Sequence, residues 1–152
     1  LAAPAAVAGL VAAARTVNGP TVHDSLVMSD DAASEVIVVA GSANRVDTPR
    51  QEISREWIEH LFEAPGYNMS QLDRFTVWSE VAVINNDGDI GQARQRCYEI
   101  TRDWGRAIEA DVTLGQAVDH AWISQAGWKP RVEAGALALL LVGVTCEAFT
   151  GA

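Results

Sequence analysis

The run Val132-Glu-Ala-Gly-Ala-Leu-Ala-Leu-Leu-Leu-Val-Gly-Val-Thr-Cys-Glu-Ala-Phe149 constrains this chain more than any other segment. Read with period two, one face carries Val132, Ala134, Ala136, Ala138, Leu140, Val142, Val144, Cys146 and Ala148. The other carries Glu133, Gly135, Leu137, Leu139, Leu141, Gly143, Thr145, Glu147 and Phe149. The middle is apolar on both sides, and only the ends alternate with charge. A surface strand of an antiparallel sheet keeps one wet face. This one has none in its centre. A strand covered twice, by a helix and by another subunit, reads this way, and a strand fully internal to the chain gives the same letters.

The remaining sequence divides at its turn residues. Pro4 to Arg15 reads as an opening helix with a small-residue face, stopped by Asn18-Gly-Pro20. It lacks the basic start of a signal peptide, and its apolar run is too short to span a bilayer. No Met opens the chain, which fits residues having been removed or left out ahead of Leu1. Thr21 to Asp24 is a short extended stretch, and Glu35 to Gly41 has the β-branched run of a strand. Residues 42–73 form a loop-rich insertion with Pro49, Pro65 and Gly66, in which Ser54 to Phe62 has helical spacing. Arg74 to Ile84 is the next strand. Asp89 caps a helix, with Gln92 as the reciprocal member of a capping box. Ile90, Ala93, Cys97, Ile100, Trp104 and Ile108 give that helix its apolar stripe. Val118 to Gln125 reads as a strand and Gly127 to Pro130 as a turn. The whole is one α+β domain over residues 1–152, a mostly antiparallel sheet with one long and one or two shorter helices packed on one face.

Chemistry is sparse. A formal charge of −9 and the absence of any basic run argue against a grip on nucleic acid, though an acidic surface suits solubility or a basic protein partner. Cys97 and Cys146 are far apart among apolar residues and read as buried free thiols, a single disulfide being the alternative, with neither metal nor redox spacing. His23 and His120 each neighbour an aspartate, Asp24 and Asp119, but adjacent residues on a strand face opposite ways. With His60 they make a metal site only if the fold gathers them. Asn85-Asn-Asp-Gly-Asp89 resembles a calcium loop, yet the position that needs a bidentate Glu is Arg96. It reads instead as the turn that delivers Asp89 to the helix dipole. No nucleophile elbow, phosphate loop or HExxH is present. Among five tryptophans, Trp78, Trp104 and Trp122 are assigned to the core. Trp57 and Trp128 fall in loops and, with Leu137, Leu139 and Leu141 of the terminal strand, are the candidate interface residues.

Taken in order, the alanine-rich first helix, Asn18-Gly-Pro-Thr-Val-His-Asp24, the Val-rich strand ending in Gly41 and Thr76-Val-Trp-Ser79 form a pattern. It continues through Gln92-Ala-Arg-Gln-Arg-Cys-Tyr-Glu-Ile100, Asp111-Val-Thr-Leu-Gly-Gln116 and the closing strand with Gly143-Val-Thr-Cys146. In these features the chain resembles the tail terminator proteins of long-tailed, siphovirus-like bacteriophages, particularly phages of actinobacteria. The resemblance implies a small subunit of a homo-hexameric ring at the head-proximal end of the tail tube. Such a ring ends tube polymerisation and joins the tail to the neck. Implied partners are further copies of itself, the major tail tube protein and a head–tail connector or stopper, with DNA free to pass through the lumen. It implies no catalytic residues and no cofactor or metal, and places the protein in the virion after assembly in the host cytoplasm. The stretch 42–73 is longer than the family pattern. Another neck component such as a stopper, or a tube protein, is the alternative within the same class. A small metal-dependent hydrolase using His120, His23 and Asp119 is the alternative outside it.

Overall fold

Residues 136–150, the heart of the terminal run, form the strand that organises the structure. The computed structural model describes residues 2–25, 33–42, 57–62, 71–128 and 136–150, with the backbone alone at 61, 62, 71, 72 and 150. Along the chain these make α1 (Ala3–Arg15), β1 (Thr21–Asp24), β2 (Glu35–Val39), β3 (Ile58–Phe62), β4 (Gln71–Asn85), α2 (Ile90–Ala110), β5 (His120–Trp128) and β6 (Ala136–Thr150). The strands form one sheet in the order β1-β2-β4-β6-β5, with β3 also paired to β4. Among the described pairings, only that of β1 with β2 is parallel. This is an α+β fold with a mostly antiparallel sheet.

β4 and β6 pair over their full length, from Gln71 opposite Thr150 to Asn85 opposite Ala136. Both are rich in β-branched and apolar residues, which suit a pleated surface buried on its faces. Phe75, Val77, Val81 and Val83 of β4 share a face with Ala138, Leu140, Val142, Val144 and Cys146 of β6. That face meets Ala6, Leu10 and Ala14 of α1 and Ala93, Cys97, Ile100, Trp104 and Ile108 of α2 in one apolar core. The spacing of three and four along α2 puts its large side chains on one stripe. Trp104 lies at the centre and donates its indole N–H to the carbonyl of Leu10 at 3.2 Å, joining the helices.

The helix ends follow their local chemistry, with one correction. The Asp89 carboxylate accepts the Gln92 backbone N–H at 3.1 Å, as a cap should. The reciprocal half of the capping box is absent. Asn85 Oδ1 takes the Asp89 N–H at 3.2 Å and the Asp87 N–H at 2.9 Å, and Gln92 instead accepts from the Asn85 side chain at 3.1 Å. The asparagine intercepts the donor that glutamine would have satisfied.

At the other end Asp111 organises a left-handed turn. Its carboxylate accepts from the Thr113 N–H at 3.2 Å, the Thr113 hydroxyl at 2.6 Å and the Gly115 N–H at 2.8 Å. Leu114, Gly115 and Gln116 all have positive φ, at 51°, 70° and 70°. The leucine tolerates this because its side chain is buried, closely apposed to Gly9 of α1, where a Cβ would come within 2.7 Å of it. The Thr113 hydroxyl, then the Gly115 N–H, hold the Asp111 carboxyl below the usual range. A lowered pKa means stability that is present above the ordinary aspartate value and lost as the pH falls through the lowered one. Asp111→Asn should therefore lower the melting temperature near neutral pH, with the gap to wild type closing below about pH 4. A gap that persists undiminished in acid would contradict this role.

Among the described residues an ion pair ties α2 to the sheet. Arg96 forks onto Glu35 at the head of β2, with Nε to Oε2 at 2.6 Å and Nη2 to Oε1 at 3.0 Å. Nη2 also donates to the Asn18 carbonyl at 2.8 Å. Glu35 raises the Arg96 pKa. Gly19 (φ 111°) passes against this fork, and a Cβ there would fall 2.6 Å from Glu35 and 2.7 Å from Arg96. Because both partners are partly exposed, Arg96→Ala should cost only about 1–2 kcal/mol in urea unfolding. Arg96→Lys should recover little, since an ammonium cannot reproduce the fork.

Two expectations about element boundaries change. Ile58–Phe62 is not helical: it runs antiparallel to β4, Ile58 opposite Val77 and Phe62 opposite Asp73. β2 pairs only with residues 80–83 of β4, so the edge at 73–77 is vacant and β3 fills it. The rest of the 42–73 insertion, at 43–56 and 63–70, lies outside the described residues. Gly127 and Trp128, expected in a turn, continue β5, while Lys129 and Pro130 lie outside the described residues. Residues 132–135 of the terminal run also lie outside them.

Candidate functional site

The face of the sheet turned away from both helices is where the candidate interface residues can be weighed. Leu137, Leu139 and Leu141 all point to it, with Ile84, Ala82 and Glu80 opposite them on β4. Leu139 packs with Val36, Val38 and Ala82 in a second apolar cluster, with Leu137 and Ala33 against it. It is 7% exposed in the single chain. Cover by a neighbouring subunit is therefore not needed at Leu139, and the alternative of an internal strand applies there. Leu141 is half-buried, between Glu80 of β4 and Gly127 of β5.

Farther along, the face changes character. Trp78 lies over Gly143, where a Cβ would stand 2.8 Å from its ring, so the glycine makes room for the indole. Ser124 and Thr145 share a hydrogen bond of 2.7 Å, beside an Arg74–Glu147 pair at 2.9 Å. His120 stacks edge-on against Trp122 with ring centroids 5.0 Å apart. Phe149, at the end, is 65% exposed. The face thus grades from a dry apolar patch near Ala136 to a polar and aromatic rim near Thr150.

The two candidate tryptophans part company. The Trp57 carbonyl accepts the Trp78 N–H at 2.8 Å, which sets Trp57 opposite Trp78 on the leucine face. Trp128 lies opposite Leu140 and hence on the helix side. There its indole N–H donates to the Tyr98 hydroxyl at 2.7 Å, with the rings edge to face. Trp128 and the three leucines are on opposite faces and form no common patch. Trp122, assigned to the core, is instead half-buried on the helix-free face, because β5 places it opposite Thr145. Sequence reading did not single out Phe149 and Tyr98, the exposed large hydrophobic residues among those described. The available signals were the place of Phe149 on the charged end of the alternation and of Tyr98 off the α2 apolar stripe.

The histidines do not converge. His23 lies on β1 and His120 on β5, at opposite ends of the five-strand order. Four strand spacings separate them, roughly 19 Å, far beyond a shared metal. Asp119 is engaged locally, accepting the Phe149 N–H at 2.6 Å and so tying the end of β6 to the start of β5. His60 Nδ1 sits 2.9 Å from the buried Asp73 carboxylate and packs near Phe75. Among the described residues, no group of three or more His, Cys, Asp or Glu is placed to hold a metal ion. Cys97 and Cys146 are buried free thiols. Burial pushes each up to about 12, so neither supplies a thiolate at neutral pH. No helix among the described residues is long and apolar enough to cross a membrane. No protein-family model matches the chain, and no curated protein matches it either.

Proposed function

We propose that this chain is a structural subunit that assembles with copies of itself into a ring, in the manner of a phage tail terminator. The ring would cap the head-proximal end of a tail tube, halt its polymerisation and join it to the neck, in the virion. The observation that carries this reading is the β5 edge. Nine residues long, with 124–127 exposed, β5 ends the sheet with no strand on its outer side among the described residues. Long open edges are either blunted or paired with another chain. The register shift between Ile123 and Gln125 interrupts this edge, a device that guards against indiscriminate stacking. A head-to-tail contact repeated around an axis closes a ring. The exposed Phe149 and the mixed polar rim beside it suit a contact surface better than a reaction site.

The alternatives within the same class, a stopper or a tube protein, share this chemistry and differ in position. The hydrolase alternative has lost its geometric support, since His23 and His120 sit on opposite edges of the sheet. Native mass spectrometry of the purified chain should show a closed oligomer, with a hexamer expected, and negative-stain images should show rings. A strictly monomeric chain at high concentration would sink the reading. Imaging of labelled virions separates terminator from tube or stopper, and a terminator deletion should yield tails of uncontrolled length.

A further inference from the structure

Head-to-tail contact requires two different surfaces on each subunit, and the outer line of α2 has the character of one of them. Arg94, Tyr98, Arg102 and Arg106 follow one another at steps of four, within an arc of roughly 120°. All four are exposed, on the side of the helix away from Cys97, Ile100, Trp104 and Ile108. With Arg96, α2 holds four of the eleven basic residues of a chain whose formal charge is −9. Arg96 is spent on Glu35, and Arg102 has only an adjacent contact at 3.4 Å to Asp103. Arg94 and Arg106 have no ion-pair partner among the described residues. At the middle of the line Tyr98 is 51% exposed. It is held in place from below by the Trp128 N–H at 2.7 Å and by the edge of the Trp128 ring. An aromatic ring fixed between arginines is the residue mix that concentrates binding energy at protein interfaces.

We infer that this line docks against exposed carboxylates of a second copy of the chain. The inference rests on the ring reading and names the basic half of its contact. Charge complementarity selects the occupant. Outside α2 the exposed surface carries Asp24, Glu59, Asp87, Asp89 and Asp119 with no cation partner among the described residues. A copy of the same molecule therefore offers the carboxylates that Arg94 and Arg106 lack within their own chain. Such pairing steers association and fixes orientation, and salt weakens it.

The test uses the full chain and a triple charge reversal, Arg94→Glu with Arg102→Glu and Arg106→Glu, with Tyr98→Ala as a second, uncharged variant. All are exposed positions, and circular dichroism and thermal unfolding establish that each variant folds. Sedimentation then measures self-association at about 0.05 M and about 0.5 M salt. Wild type should associate at least roughly tenfold more weakly at high salt, and the triple reversal should lose at least that much at low salt. Tyr98→Ala should weaken association with little change in its salt dependence. Rings of wild-type strength from the folded triple variant would overturn this surface and leave the ring reading standing. A wild-type chain that is monomeric at both salts would overturn both. If the reversal instead abolishes binding to a short DNA duplex and leaves association unchanged, the surface serves nucleic acid and the inference is also overturned.

Discussion

Replacing Leu139 by Asp should leave the chain largely unfolded or unable to assemble. Its side chain is buried against Val36, Val38 and Ala82 on the face away from the helices. Burial of an unpaired carboxylate there costs several kcal/mol, and the lost leucine adds about 2–3 kcal/mol more. The sum is comparable with the whole stability of an ordinary domain, about 5–15 kcal/mol. Leu139→Ala separates the contributions, since it removes the packing and adds no charge. Leu141→Asp should be milder, because Leu141 is only half-buried, although its carboxylate would face that of Glu80 directly opposite on β4. Urea unfolding of the three variants checks the order. An unchanged midpoint for Leu139→Asp would show that this face is not a core at all.

The second large effect is expected at Trp104. The indole is fully buried between the helices and the sheet, and its N–H donates to Leu10 across the α1–α2 contact. Trp104→Ala opens a cavity and should cost about 3–5 kcal/mol. Trp104→Phe keeps much of the ring and leaves the Leu10 carbonyl without this donor, so it should cost less, roughly 1–3 kcal/mol. Matching losses for the two variants in denaturant unfolding would mean that the hydrogen bond, not the volume, carries the residue's contribution. Because Trp104 also anchors α1, the alanine variant should speed amide exchange in Ala6–Ala14 more than in β5.

How much of this was readable beforehand depends on how local the cause is. The stripe Ala93, Cys97, Ile100, Trp104, Ile108 and the Asp89 cap lie within one helix and needed no partner to be recognised. β4 and β6 announced themselves by β-branched and aliphatic runs. The segment from Ile58 to Phe62 was misread because Trp57, Ile58, Leu61 and Phe62 also sit at helical spacing, and only the vacant edge of β4 decides for a strand. The role of Gly143 was hidden for a similar reason. It depends on a register that places Trp78, sixty-five residues earlier, directly opposite.

For the candidate surface the division is the same. The alternation in the terminal run predicted a strand with two apolar faces, and the strand has them. That prediction follows from period two alone, which assigns each side chain to a face without saying what lies beyond it. The tertiary structure supplied the covers: two helices on the even face, and burial of Leu139 within its own chain on the odd face. It also moved Trp128 to the helix side, beneath Tyr98, and left Phe149 and the outer line of α2 facing outward. Strand order and register are settled by contacts between residues far apart in the chain. No local pattern encodes them, so the faces were legible from the sequence and their neighbours were not.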